Sequence, residues 1–115
     1  MAFGTRVKFE DVREVAFGSV AAGYTAIGSA LGDRARIITF YNTTDTDVYI
    51  SDDGVNNKMR LPSGSGKVLD FTAAKVRDDG LFVHEGTVFY VKRTAMGAPS
   101  VGNVWIEVTA ADGGI

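Results

Sequence analysis

Residues 48–61 read VYISDDGVNNKMRL. Two short runs flank a polar centre: Val48 and Ile50 alternate with Tyr49 and Ser51, and Met59 and Leu61 alternate with Lys58 and Arg60. Alternation with a period of two marks a strand that buries one face. The segment between them, DDGVNN (52–57), consists largely of residues that hydrogen-bond their own backbone or tolerate left-handed angles. The stretch predicts an antiparallel hairpin.

Two chemical alternatives attach to the same region. A calcium loop of the EF-hand kind needs glycine at its sixth position and glutamate at its twelfth. Counting from Asp47 or Asp52 supplies neither arrangement, which leaves only a structural cation on Asp52, Asp53 and Asn56 as an alternative to the turn. A phosphate cradle needs G-x-x-x-x-G-K-[ST]. Gly66 and Lys67 are present, but Leu61 stands where the first glycine belongs and Val68 where the hydroxyl belongs. PSGSGK (62–67) is therefore read as a flexible connection to a strand over 68–71.

Outward from the hairpin the pattern stays β. ARIITFYN (35–42) is β-branched and aromatic on both faces, as a strand buried on both sides would be, and TTDTD (43–47) supplies a turn. LFVHE (81–85), TVFYVKR (87–93) and VWIEVT (104–109) read as further strands, the last placing Val104, Ile106 and Val108 opposite Trp105, Glu107 and Thr109; TAMGAPSVGN (94–103) is a loop. TAAKVRDDG (72–80) is the one segment with helical character, capped by Thr72 and ended by Gly80. Short strands with turns about every ten residues predict an all-β, antiparallel β-sandwich, of which a jelly roll is one form. The expected layout is an N-terminal arm or first strand over 1–14, one sandwich domain over 15–109 and a flexible tail over 110–115.

Composition fits this reading. A chain of 115 residues suits one domain, and its 14 glycines suit many turns. No cysteine is present, so disulfides and thiolate sites are excluded. A net charge of −2 and a pI near 5.2 disfavour nucleic acid as a partner. VAFGSVAAGYTAIGSALG (15–32) carries no charge, yet its glycines and hydroxyls make it too weakly apolar for a membrane span; it reads as a pair of buried strands or a subunit interface. The first residues lack the continuous apolar run of a signal peptide, which points to synthesis in the cytoplasm.

Catalytic chemistry is not expected. His84 is the single histidine, and Glu85 beside it would point to the opposite face of a strand. Asp52–Asp53 and Asp78–Asp79 each precede a glycine and read as turn chemistry rather than as carboxyls facing across a cleft. Phe40, Tyr41, Tyr49, Phe89 and Tyr90 could stack sugars or bases, although packing accounts for them more simply. No catalytic residue, cofactor or resident metal is assigned. The residues expected at a subunit interface are Phe3, Val7 and Phe9 of the arm, Tyr24, Ile27 and Leu31 of the charge-free segment, and Trp105.

The runs FYNTTDTDVYISDDGVNNKMRLPSGSGKVLDF, GLFVHEGTVFYVKR and GAPSVGNVWIEV resemble small virion structural proteins of tailed bacteriophages, over about residues 38–108. In those proteins an N-T-T-D-x-D-V-x-I-S-x-D-G hairpin, an L-P-x-G-S turn and a G-T-x-x-Y-V strand recur in a small all-β domain. The resemblance implies a homo-oligomer in the virion, bound to the major capsid protein as a cement or decoration protein. A head-to-tail adaptor, tail or fibre-attachment protein bound to portal or tail proteins is the alternative. A carbohydrate-binding module is the alternative from a different class.

Overall fold

The computed structural model describes residues 6–32, 34–70, 75–76, 79–80, 83 and 86–112. Among them are eleven strands: β1 (Arg6–Phe9), β2 (Arg13–Ala16), β3 (Thr25–Ala26), β4 (Arg34–Asn42), β5 (Val48–Ser51), β6 (Met59–Leu61), β7 (Ser65–Asp70), β8 (Lys75–Val76), β9 (Asp79–Gly80), β10 (Tyr90–Arg93) and β11 (Asn103–Asp112). One 3₁₀ turn, Phe17–Ser19, follows β2. No helix among the described residues is long and apolar enough to cross a membrane.

The strand pairings are nested. β5 pairs with β6 across the 52–58 loop, β4 with β7, β3 with β10, and β1 and β2 both with β11. The chain thus forms an antiparallel ribbon doubled back at its middle. Pairing of β11 with β4 and of β10 with β5 rolls that ribbon up, so that successive ribbon pairs fall in different layers. One sheet runs β1/β2–β11–β4–β7 and the other β3–β10–β5–β6. With β1 and β2 counted as one interrupted edge strand, this is the eight-stranded, two-sheet arrangement of a jelly roll. β8 and β9 make a separate small hairpin in the connection from β7 to β10.

The alternation seen in the sequence now has a direction. Ile38 and Phe40 of β4, Val104 and Ile106 of β11, Val48 and Ile50 of β5, Leu61 of β6 and Val91 of β10 all point between the sheets and are buried. Phe40 meets Phe89 edge to face, with ring centroids 5.3 Å apart. Each large aliphatic side chain so placed stabilises the fold by about 1.5–3 kcal/mol relative to exposure. β4 departs from the expectation of burial on both sides: Arg36, Ile37 and Thr39 are only half-buried and Tyr41 is exposed, because its sheet has one covered face.

Two irregularities bend the first sheet. β11 pairs Thr109 with Ile37 and Ala110 with Ala35, which leaves Arg36 as the extra residue of a bulge. On the edge, Phe9 faces Thr109 while Arg13 faces Ile106, so three residues of the edge span two of β11. Arg13 at that break turns inward and binds the 28–32 segment. Its Nε donates to the Ser29 carbonyl at 2.9 Å, and its Nη2 donates to the Ala30 carbonyl at 3.1 Å and to the Glu10 carboxylate at 2.7 Å.

Several sequence expectations need correction. Residues 15–32 are not a pair of buried strands: β2, the 3₁₀ turn and the two-residue β3 are joined by exposed loops, and Val15, Val20, Ile27 and Leu31 anchor them in the core. Segment 72–80 contributes the β8–β9 hairpin where a helix was expected, with 72–74 and 77–78 outside the described residues. Of 87–93, only Tyr90–Arg93 is strand. Residues 87–89 instead follow the 27–31 loop, to which the Thr87 and Phe89 carbonyls are bonded. Residues 110–112, placed by the sequence in the tail, pair in the sheet, whereas the pairing of 6–9 and 13–14 agrees with the first-strand alternative for 1–14. β7 begins at Ser65, three residues early, because PSGSGK is an ordered turn: the Ser65 N–H and hydroxyl both donate to the Pro62 carbonyl, and Gly64 takes a φ of 72°.

The layer assignment has a direct test. Phe40→Ala should lower unfolding free energy by about 3–5 kcal/mol in a denaturant titration. Val68→Ala, on the outward face of the same sheet, should cost less than about 1 kcal/mol.

Candidate functional site

Four connections meet at one end of the sandwich: 17–24, 43–47, 62–64 and 94–102. The turn NTTDTD (42–47) ties them together. Asn42 is fully buried. Its amide donates to the Thr46 carbonyl at 2.9 Å and the Leu61 carbonyl at 3.0 Å, and its side-chain oxygen accepts from the Thr44 N–H and hydroxyl. Thr43 and Asn103 exchange three bonds, two through the Thr43 hydroxyl. Asp45 accepts from the Ser100 N–H and hydroxyl, and Asp47 accepts from the Ser63 N–H and from Arg60. Gly102 fits because it has no side chain: its φ is 92°, and a Cβ there would sit 2.2 Å from the Thr43 carbonyl oxygen.

The opposite end carries the β5–β6 loop, and its geometry decides between turn and cation site. The Ser51 hydroxyl donates to Asp53 Oδ1 at 2.6 Å and accepts from the Asp53 and Gly54 N–H groups. Asp53 Oδ1 also accepts from the Val55 and Asn56 N–H groups, and Oδ2 accepts from the Asn56 amide. Both carboxylate oxygens thus serve the loop's own donors, which supports the turn. Those bonds, with Ser51 the largest cause, hold the Asp53 carboxyl far below its ordinary value. Asp52 pairs with Lys58 at 3.0 Å. Gly66 and Lys67 lie within β7, opposite Tyr41 and Phe40, so they form part of a strand rather than a loop around phosphate.

The outer faces of the two sheets differ in chemistry. On the first, Trp105 stands between Glu14 and Tyr41, and Tyr41 in turn covers Gly66. The next row holds Glu107, Thr39 and Val68, and the row beyond it starts with Phe9 beside Thr109. Phe9 is 78% exposed, Val68 60% and Tyr41 40%. The Trp105 indole N–H is buried and has no acceptor among the described residues. On the second sheet, Lys92, Tyr49 and Arg60 form a directly paired row. Lys92 Nζ lies 4.9 Å from the centre of the Tyr24 ring and 5.9 Å from that of Tyr49, and Arg60 also sits over Tyr49. The Tyr24 hydroxyl donates to Asn57.

The residues expected at an interface are distributed unevenly. Phe9 and Trp105 share the outer face of the first sheet, and Tyr24 lies on that of the second. Ile27 and Leu31 are core residues, at 0% and 3% exposure, and present no surface to a partner; the 86–89 segment closes over them. Val7 falls in β1 opposite Ala111, its side chain outside the described residues, as are Phe3 and His84. Val68 and Lys92 were missed, and Tyr41, weighed only as a stacking residue, was not expected at an interface. Strand parity was the available signal: each is one residue from an inward neighbour, at buried Phe40 and Val91 or half-buried Leu69. A further feature without sequence warning is an open cleft of about 620 Å³ between the broken edge strand and the 28–32 loop, beside Arg13. Among the described residues, no group of three or more His, Cys, Asp or Glu is placed to hold a metal ion.

No family model matches the chain, and no curated protein matches it significantly. Among solved structures it is similar to the cryo-EM structure of the extra small virus VLP of the giant freshwater prawn Macrobrachium rosenbergii. The likeness has 11% identity and a TM-score of 0.45, and it covers 95% of this chain and 79% of that one. At that identity and score it assigns no role.

The loop junction generates two expectations. Gly102→Ala should destabilise by about 2–4 kcal/mol, combining a left-handed backbone with overpacking against residue 43. Asp45 and Asp47 are held below the ordinary value of 3.8, mainly by bonds from Ser100 and from Ser63. A depressed folded value means their contribution is fully present above that ordinary value and is lost as pH falls through the folded one. The melting temperature should therefore drop below about pH 4. Asp47→Asn should show a lower melting temperature at pH 7 and a shallower acid decline.

Proposed function

We propose that this chain is a non-enzymatic structural protein of a tailed-bacteriophage virion, acting as a capsid cement or decoration protein that stabilises the particle through subunit contacts. The observation that carries this reading is the outer face of the first sheet, where Phe9, Tyr41 and Val68 are exposed beside the half-buried Trp105, outside the core cluster of the described residues. Large aromatic residues left outside a core are enriched at interfaces. The end loops add a second support, because their bonded connections would present a preformed surface and need little ordering on contact. The resemblance of residues 38–108 to small phage virion proteins supplies the biological setting.

A head-to-tail adaptor or tail component uses the same surfaces at a different place in the particle. A carbohydrate-binding module is less well supported, since Phe40 and Phe89 of the candidate stacking set are buried and cations lie over the Tyr49 ring. Gradient-banded particles produced from a phage genome encoding this chain should contain it, detected by mass spectrometry. Its copy number should match the shell for a cement protein and a single ring for an adaptor. Absence from the particles, together with retention of a glycan by the free protein, would refute the assembly reading.

A further inference from the structure

The two outer faces lie on opposite sides of the sandwich and differ in charge. On the first sheet, Glu14 and Glu107 flank Trp105, one directly across the strand pair and the other two residues along β11. On the second, Arg60 is matched by Asp47 at 2.8 Å and Lys58 by Asp52 at 3.0 Å, which leaves Lys92 without a carboxylate partner among the described residues. One face therefore offers acids beside a half-buried indole ring. The other offers an unmatched cation set among tyrosines.

We propose that these faces bind one another between copies of this chain, the Trp105 face of one sandwich stacking on the Lys92 face of the next. The proposal rests on the assembly reading and adds its surfaces and geometry. Like-with-like stacking is disfavoured by charge, because it would set Glu14 and Glu107 against their own copies, or Lys92 against Lys92. A contact between two different patches repeats from copy to copy, and it closes into a ring or continues as a filament according to the rotation at each step. Paired sheet faces would bury the exposed apolar side chains at the usual spacing of about 10 Å.

Sedimentation velocity of the full chain across a concentration series tests this, with thermal unfolding confirming that each variant is folded. The wild type should associate as concentration rises. Glu107→Lys alone and Lys92→Glu alone should each weaken association by about tenfold or more. Mixing the two variants, or combining both substitutions in one chain, should restore it, since each opposed pair again carries opposite charges. A wild type that stays monomeric at every concentration would overturn the proposal, as would association insensitive to Lys92→Glu, which is the result expected if the Trp105 faces pair with each other. Particle binding by a chain that remains monomeric in solution would leave the virion reading standing and remove this one.

Discussion

The Asn42 side chain is out of reach of solvent, and a buried amide whose donors and acceptor go unmatched costs the fold several kcal/mol. Here every part of it is matched, and the partners lie in different layers. Asn42 ends β4 in the first sheet, Leu61 ends β6 in the second, and Thr44 and Thr46 belong to the connection that crosses between them. A single side chain therefore sets how far the chain travels when it changes sheets. The surrounding bonds to Ser63, Ser100 and Asn103 depend on that placement, because each is made by a residue of the same short turn.

This junction explains why an acidic, glycine-rich chain without a disulfide can still present a defined shape. The carboxylates of the turns are consumed internally: Asp53, which suggested a cation, by its own loop, Asp47 by Ser63 and Arg60, and Asp45 by Ser100. What remains for partners is held on the two sheet faces and at the cleft beside Arg13, away from the junction. Their chemistry follows from strand parity, since the residues excluded from the core are fixed by those that fill it.

How much of this was legible in the sequence depended on the range of the interactions. The β5–β6 hairpin and the inward set of β11 follow from nearest neighbours, so their alternation could be read directly. Asn42 looked like the last residue of an apolar strand, because its partners at Leu61 and Thr46 become neighbours only after the chain has changed sheets. Arg13 was equally opaque: it lies in a stretch of mixed charge that resembles an arm, and its bonds to Ser29 and Ala30 are created by the fold. The helix expected at 72–80 failed for a related reason, since local propensity there is outweighed by pairing between β8 and β9. Among the surface residues, Trp105 and Phe9 were visible as large side chains in excess, whereas Ile27 and Leu31 could not be separated from them without knowing which loop would lie over which.

The position of β11 has a consequence for how the molecule is made. Among the described residues it is the last strand to be synthesised, yet it occupies the interior of its sheet, between the edge formed by β1 and β2 and the central β4. During translation the β5–β6 hairpin meets its partner almost at once, whereas Val15, Ile38 and Phe40 wait for residues 103–112 to leave the ribosome. Until then the amino-terminal edge has nothing to pair with, and that interval is when a nascent chain is most exposed to chaperones and to misassociation with its neighbours.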